Sequence, residues 1–199
     1  MSTSRTEGSS THDPESELPI SDGELPLSDG DFPTGSDTES DSPAATFDYL
    51  AVHDALARCR RYRKEFGLYA IVDPVLGRIL LEVGAVGAVV MPAGLGERVR
   101  DRLDPAGPII AHPRSRRWTF LTGPADQSCL DSALFAELFR VCASVALPGT
   151  RVVLPSPTDE RGGYRNWVVA PEADRRPTQA AVIAATRYCA DASGARASK

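Results

Sequence analysis

From Met1 to Ala45 the chain carries eleven carboxylates (Glu7, Asp13, Glu15, Glu17, Asp22, Glu24, Asp29, Asp31, Asp37, Glu39 and Asp41) against the single Arg5. The segment repeats a weak unit, "ELPISDG", "ELPLSDG" and the degraded "DFPTGSD", with one or two apolar residues beside each proline. Ordering a backbone costs about 1–2 kcal/mol per residue, and apolar side chains this sparse cannot offset that cost. Residues 1–45 are therefore expected to be a disordered acidic tail, with folding confined to residues 46 onward. Leu18, Leu25 and Phe32 recur every seven residues. They read either as short anchors for a partner or as incidental residues of a solubilising tail.

Subtracting the tail changes the charge of the remainder. The chain has 27 acidic and 22 basic side chains, so 16 acidic and 21 basic ones remain after residue 45. A formal −5 thus resolves into −10 for the tail and +5 for the body. About 150 residues remain, enough for one domain around one core, expected over 46–192 with a disordered C-terminus at 193–199. The first residues show no basic n-region followed by an apolar h-region. No run approaches the roughly 20 apolar residues of a membrane span. A cytoplasmic protein without membrane partners is the expectation. Cys59, Cys129, Cys142 and Cys189 lie far apart, with no C-x-x-C and no histidine at ligand spacing, so a zinc site is not indicated. Cys59, Cys142 and Cys189 fall on apolar helix faces and read as buried thiols.

Hydrophobic spacing supplies the elements. Phe47, Leu50, Ala51, Ala55, Cys59, Tyr62 and Phe66 step by three and four, predicting an amphipathic helix with Arg60, Arg61 and Lys64 outside and Gly67 at its end. "LYAIVD" and "RILLEV" flank "PVLG" as a hairpin, and "GAVVMP" is a short buried strand. Pro92 suits the first turn of the helix "AGLGERVRDRL". "PIIAH" and "RWTFLT" bracket "PRSR" as a second hairpin. A helix is predicted near 130–142, strands near 151–154 and 165–169, and a last helix from Pro177 to about Ala190. The class is α+β, with a mixed or antiparallel sheet and about four helices.

Four motifs bear on chemistry. "GLGERV" places Gly94 and Gly96 at a helix start, where free N–H groups can hold phosphate. No acidic ribose partner follows at the spacing of a dinucleotide site. A hydrolase triad needs a placed histidine. His53 falls on the polar side of its helix, and His112 reads as an ordinary strand-end residue. "AHPRSRRWTFLTGP" sets Arg114, Arg116 and Arg117 beside Trp118 and Phe120, either a phosphate grip or only the lip of a core hairpin. By strand alternation Trp118 and Phe120 point inward. "LPSPTDERGGYRNWV" reads as a long hairpin with Tyr164 and Trp167 as aromatic anchors. In a functional reading it is a polar loop, with Ser156, Arg161 and Arg165 facing a ligand.

These two segments resemble motifs of the bifunctional DNA primase/polymerase amino-terminal domain, of the archaeo-eukaryotic primase fold, over roughly residues 85–170. Arg116-Arg117-Trp118-Thr119-Phe120 matches the "GGRH-aromatic" strand, and Pro155, Ser156, Gly163, Tyr164 and Trp167 match the "PPS…G..Y.W" segment. The pair is also similar to small actinobacterial proteins of this group. The resemblance implies a nucleotidyltransferase that holds two divalent metals on strand carboxylates. This chain departs from it. Ala88-Val89-Val90-Met91 has no carboxylate, Trp118 stands at the histidine position, and Ser144-Val145-Ala146-Leu147 stands where a later acid is due. The expectation is a catalytically degenerate primase-polymerase-like domain, a pseudoenzyme with no cofactor and no metal. It would bind nucleotide or single-stranded nucleic acid through Arg114, Arg116, Arg117, Ser156, Arg161 and Arg165, in replication or transcription. The alternative is a protein-interaction or regulatory module meeting an acidic partner. A third reading, an active nucleotidyltransferase, requires Asp73, Asp101 or Asp104 to converge.

Overall fold

The computed structural model describes residues 43–126, 128 and 130–197, the first six and last five by backbone alone. The expected tail up to residue 42, Cys129 and residues 198–199 lie outside the described residues. The first helix, α1 (Pro43–Phe66), takes Pro43 as its first residue, where the missing N–H costs nothing. It thereby includes three residues assigned above to the tail. Ala55, Cys59 and Tyr62 are buried along one stripe, while Leu50, higher on the helix, is exposed. Gly67, at φ 59°, ends the helix in the left-handed region, and the Leu68 N–H reaches back 3.1 Å to the Tyr62 carbonyl.

The predicted first hairpin forms from β1 (Ala70–Val72) and β2 (Ile79–Glu82), with Val72 opposite Ile79. Then come β3 (Gly87–Pro92), α2 (Ala93–Arg100), β4 (Ile109–His112) and β5 (Arg117–Thr122). A 3-10 turn at Pro113–Ser115 closes the arginine-rich hairpin between β4 and β5. Pro92 closes β3 as the residue before α2 and does not enter its first turn. The chain continues through α3 (Ser132–Arg140), β6 (Ser144–Val145), β7 (Arg151–Leu154), α4 (Pro157–Arg161), β8 (Asn166–Val169) and α5 (Gln179–Ala197). The last helix continues past the Ala190 expected from its sequence and ends at Ala197.

The fold is α+β, but it holds two antiparallel sheets in place of the single sheet expected. β1-β2-β7 form a three-stranded sheet, and β6-β3-β5-β4-β8 form a five-stranded one. The difference arises at 154–168. Ser156 and Asp159 form a reciprocal capping box with Pro157 at the helix start, so the segment begins a helix and does not turn back as a long hairpin. α4, the fourth of five described α-helices, carries the chain from β7 in one sheet to β8 in the other. Gly162 caps α4, and Gly163, at φ 65°, releases the chain toward β8.

Alternation along the strands gives the larger sheet two apolar faces. Val89, Met91, Ile109, Trp118 and Phe120 pack with Leu95 and Val99 of α2 and Val182 of α5. Ala88, Ile110 and Leu121, on the opposite face, pack with Ile79, Leu81 and Leu154 of the smaller sheet and with Ala55, Cys59 and Tyr62 of α1. The one domain therefore has a core on each side of its central sheet. Gly96 is needed on the first side: an added Cβ would lie 2.8 Å from Cε3 of Trp118. Cys59 and Cys189 are buried as expected, but Cys142 is exposed. α3 ends at Arg140, and Cys142 takes a left-handed φ of 55° beyond it, which turns the thiol off the apolar face.

A candidate anion-binding cleft between the sheets

The larger sheet extends past the free edge of β7, and this overhang is a cleft of about 280 Å³. Alternation decides what lines it. Val90 of β3, Arg117 and Thr119 of β5 and His112 of β4 share the face that carries Ala88, Ile110 and Leu121 deeper in, so they form the floor. Arg151, Val152 and Val153 of β7 form the wall, and Arg165 and Ser115 close the mouth.

The polar groups are held in place. Nη2 of Arg117 donates to the Cys142 carbonyl at 2.8 Å, which draws the guanidinium across β3. Nη1 of Arg165 donates to Oδ1 of Asp159 at 2.8 Å, while the other oxygen of Asp159 accepts from the Ser156 hydroxyl at 2.8 Å. The chain Ser156–Asp159–Arg165 therefore fixes the arginine from behind. Nε of Arg165 is buried without an acceptor. No carboxylate among the described residues pairs with Arg151, although Glu82 stands beside it across the β2–β7 pair. The His112 ring nitrogen Nε2 lies 2.9 Å from Oγ1 of Thr119. Burial, reinforced by Arg165 and Arg117 and partly opposed by Asp159, lowers the pKa of His112 below its ordinary 6.5, so the ring is neutral at pH 7.

The structure separates the residues that sequence reasoning groups together. Arg117 and Arg165 meet in the cleft. Arg114 stacks on the Tyr164 ring at 3.8 Å, binding the 3-10 turn to the α4–β8 loop. Tyr164, expected as an anchor, is 45% exposed, because it serves this surface stack rather than the core. Arg116 is exposed at φ 50°, its carbonyl accepting from the Ala93 N–H. Arg161 lies elsewhere, in a groove with Leu50 and Tyr164, 3.7 Å from Asp54. Ser156 does not face the cleft: it is 3% exposed and used as the α4 cap. Trp118 and Phe120 are buried, as alternation predicts, on the sheet face away from the cleft. Trp167 is a true anchor, its indole N–H donating to the Tyr62 hydroxyl at 2.9 Å.

Sequence reasoning misses Arg151, Thr119 and the inward position of His112. The signal that could find two of them is parity: His112 lies two residues from Ile110, and Thr119 lies two from Arg117 and Leu121. Asp73, Asp101 and Asp104 do not line the cleft. Asp73 caps the β1–β2 turn, accepting from the Val75 and Leu76 N–H groups at 2.9 and 3.0 Å. Asp101 pairs with Arg100 at the end of α2, and Asp104 is exposed beyond it.

A pair of divalent metals does not fit these residues. No carboxylate is among the residues that line the cleft, Asp159 behind it is already shared between Ser156 and Arg165, and three guanidinium groups repel a cation. Among the described residues no group of three His, Cys, Asp or Glu side chains could hold a metal ion. No described helix is long and apolar enough to cross a membrane. What the arrangement can do is hold an anion with planar, preoriented donors. No family model, curated protein or solved structure matches this chain.

Proposed function

We propose that this chain is a primase-polymerase-like domain without the metal-holding carboxylates, and that its cleft binds the phosphates of a nucleotide or nucleic acid. The observation that carries this reading is the convergence of Arg117, Arg151 and Arg165, from three strands or their flanks, on one concave site. Arginines with no ligand to meet repel one another, and a buried donor such as Nε of Arg165 costs free energy until an acceptor arrives. A phosphate group supplies both a negative charge and acceptors in the geometry of the guanidinium fork. The neutral His112 adds a further hydrogen-bonding nitrogen beside them.

The test is titration of a fluorescent single-stranded oligonucleotide, and of inorganic tripolyphosphate in competition, across roughly 50–200 mM salt. Phosphate contacts to three arginines give a slope of log K against log salt of about −2, at roughly 0.7 per contact for a single strand. Arg117→Ala and Arg151→Ala each remove about 0.7 from that slope. Absence of binding by the wild-type chain at low salt rejects this reading in favour of a protein-interaction module.

A further inference from the structure

The cleft does not end at β7. In the smaller sheet Ala70, Ile79, Leu81, Val152 and Leu154 are buried, so the alternate residues form an outer face. The pairing register places Ile71, Leu80 and Val153 in one row across all three strands. Ile71 is half exposed, and even Leu80, on the central strand, is only partly covered. Tyr69 enters β1 on the same side, with 70% of its surface exposed. Arg151 lies at one end of this face and Arg78, exposed and of the same parity as Leu80, at the other. Glu82, beside Arg151, and Asp73, at the hairpin end, are the acids of these strands' outer parity. Val153 and Arg151 also line the cleft, so the apolar row and the guanidinium groups form one continuous surface.

The geometry points to this outer sheet face as a base-stacking platform for single-stranded nucleic acid, with its phosphates entering the Arg117–Arg151–Arg165 cleft. The inference rests on the proposed cleft function and names its ligand more narrowly. Single strands are held where a basic groove follows the backbone and aromatic or apolar side chains meet the bases. Both parts are present here and share Arg151. From β7 to β1 is two strand spacings, about 10 Å, the length of about three stacked nucleotides. A duplex hides the faces of its bases and has no use for Tyr69 or the Ile71–Leu80–Val153 row.

The experiment uses the full chain and a fluorescein-labelled oligo-dT of about 20 nucleotides at low salt, long enough to span the site, with tripolyphosphate as a probe that has phosphates and no base. Tyr69→Ala should weaken oligonucleotide binding about tenfold, as loss of a stacking partner does. Tyr69→Phe should retain it, and both variants should bind tripolyphosphate as the wild type does. An unchanged thermal midpoint checks that they fold. Unaltered oligonucleotide affinity in Tyr69→Ala overturns the platform while leaving the cleft reading intact. Equal affinity of the wild type for a duplex of the same length, or an equal loss of tripolyphosphate binding in Tyr69→Ala, also overturns it. Failure of the wild type to bind either probe removes the cleft reading and the platform together.

Discussion

The two glycines of "GLGERV" predict opposite responses to the same substitution. At Gly96 a new Cβ would stand 2.8 Å from Cε3, 3.2 Å from Cδ2 and 3.3 Å from Cβ of Trp118. The indole cannot yield easily, because it is 9% exposed and packed among Met91, Val99 and Leu138 in the helix-side core. Forced overpacking costs about 1–3 kcal/mol, against at most about 1 kcal/mol gained from replacing glycine in a helix. Gly96→Ala should therefore lower stability by about 1–2 kcal/mol, or about 2–8 °C in thermal midpoint for a domain of this size. At Gly94 nothing lies within 4 Å of the added Cβ, and the position is exposed. Gly94→Ala should raise stability by about 0.5 kcal/mol through the unfolded state alone. Differential scanning calorimetry of the two variants separates these signs, and oligonucleotide titration should show neither affecting binding. A stabilised Gly96→Ala would refute the close-packing account. Loss of anion binding in either variant would restore the phosphate reading of the motif.

Ser156→Ala breaks the α4 capping box and should cost about 1 kcal/mol in urea unfolding. With Arg165 less firmly held through Asp159, tripolyphosphate binding should weaken only slightly. A loss of binding as large as that of Arg117→Ala would return Ser156 to the ligand site. His112 sets a pH dependence. Its folded pKa lies below the unfolded 6.5, so the unfolded chain binds the proton more readily and stability falls as pH drops below about 6.5. A bound anion favours the protonated ring, so oligonucleotide affinity should rise over the same acid interval. Both slopes should be reduced in His112→Gln, measured by thermal melts and anisotropy between about pH 5.5 and 7.5. An unchanged pH profile in that variant would show that His112 titrates independently of the cleft.

Much of the architecture is legible locally. Both hairpins, the buried strand at 87–92 and the inward aspect of Trp118 and Phe120 follow from a period of two and from turn residues, which depend on near neighbours. The stretch at 154–168 is harder, because its prolines and glycines suggest a turn. Ser156 and Asp159 three residues apart, with Pro157 between them, mark the start of a helix instead. Cys142 shows a related limit: apolar spacing continues past Arg140, but the helix does not.

The site divides along the same line. Alternation alone determines that Arg117 and Thr119 share a strand face, and that Arg151 and Val153 share another. It does not determine which strands become neighbours. β7 pairs with β2 across about 70 residues of chain, leaving its other edge over the floor that holds His112 and Arg117. Period and turn chemistry are properties of a few adjacent residues. Which arginines converge depends on how two cores bury their apolar faces against one sheet. For that reason Arg161, four residues from Arg165 in the chain, ends in a different groove, while Arg151, fourteen residues away, completes the cleft.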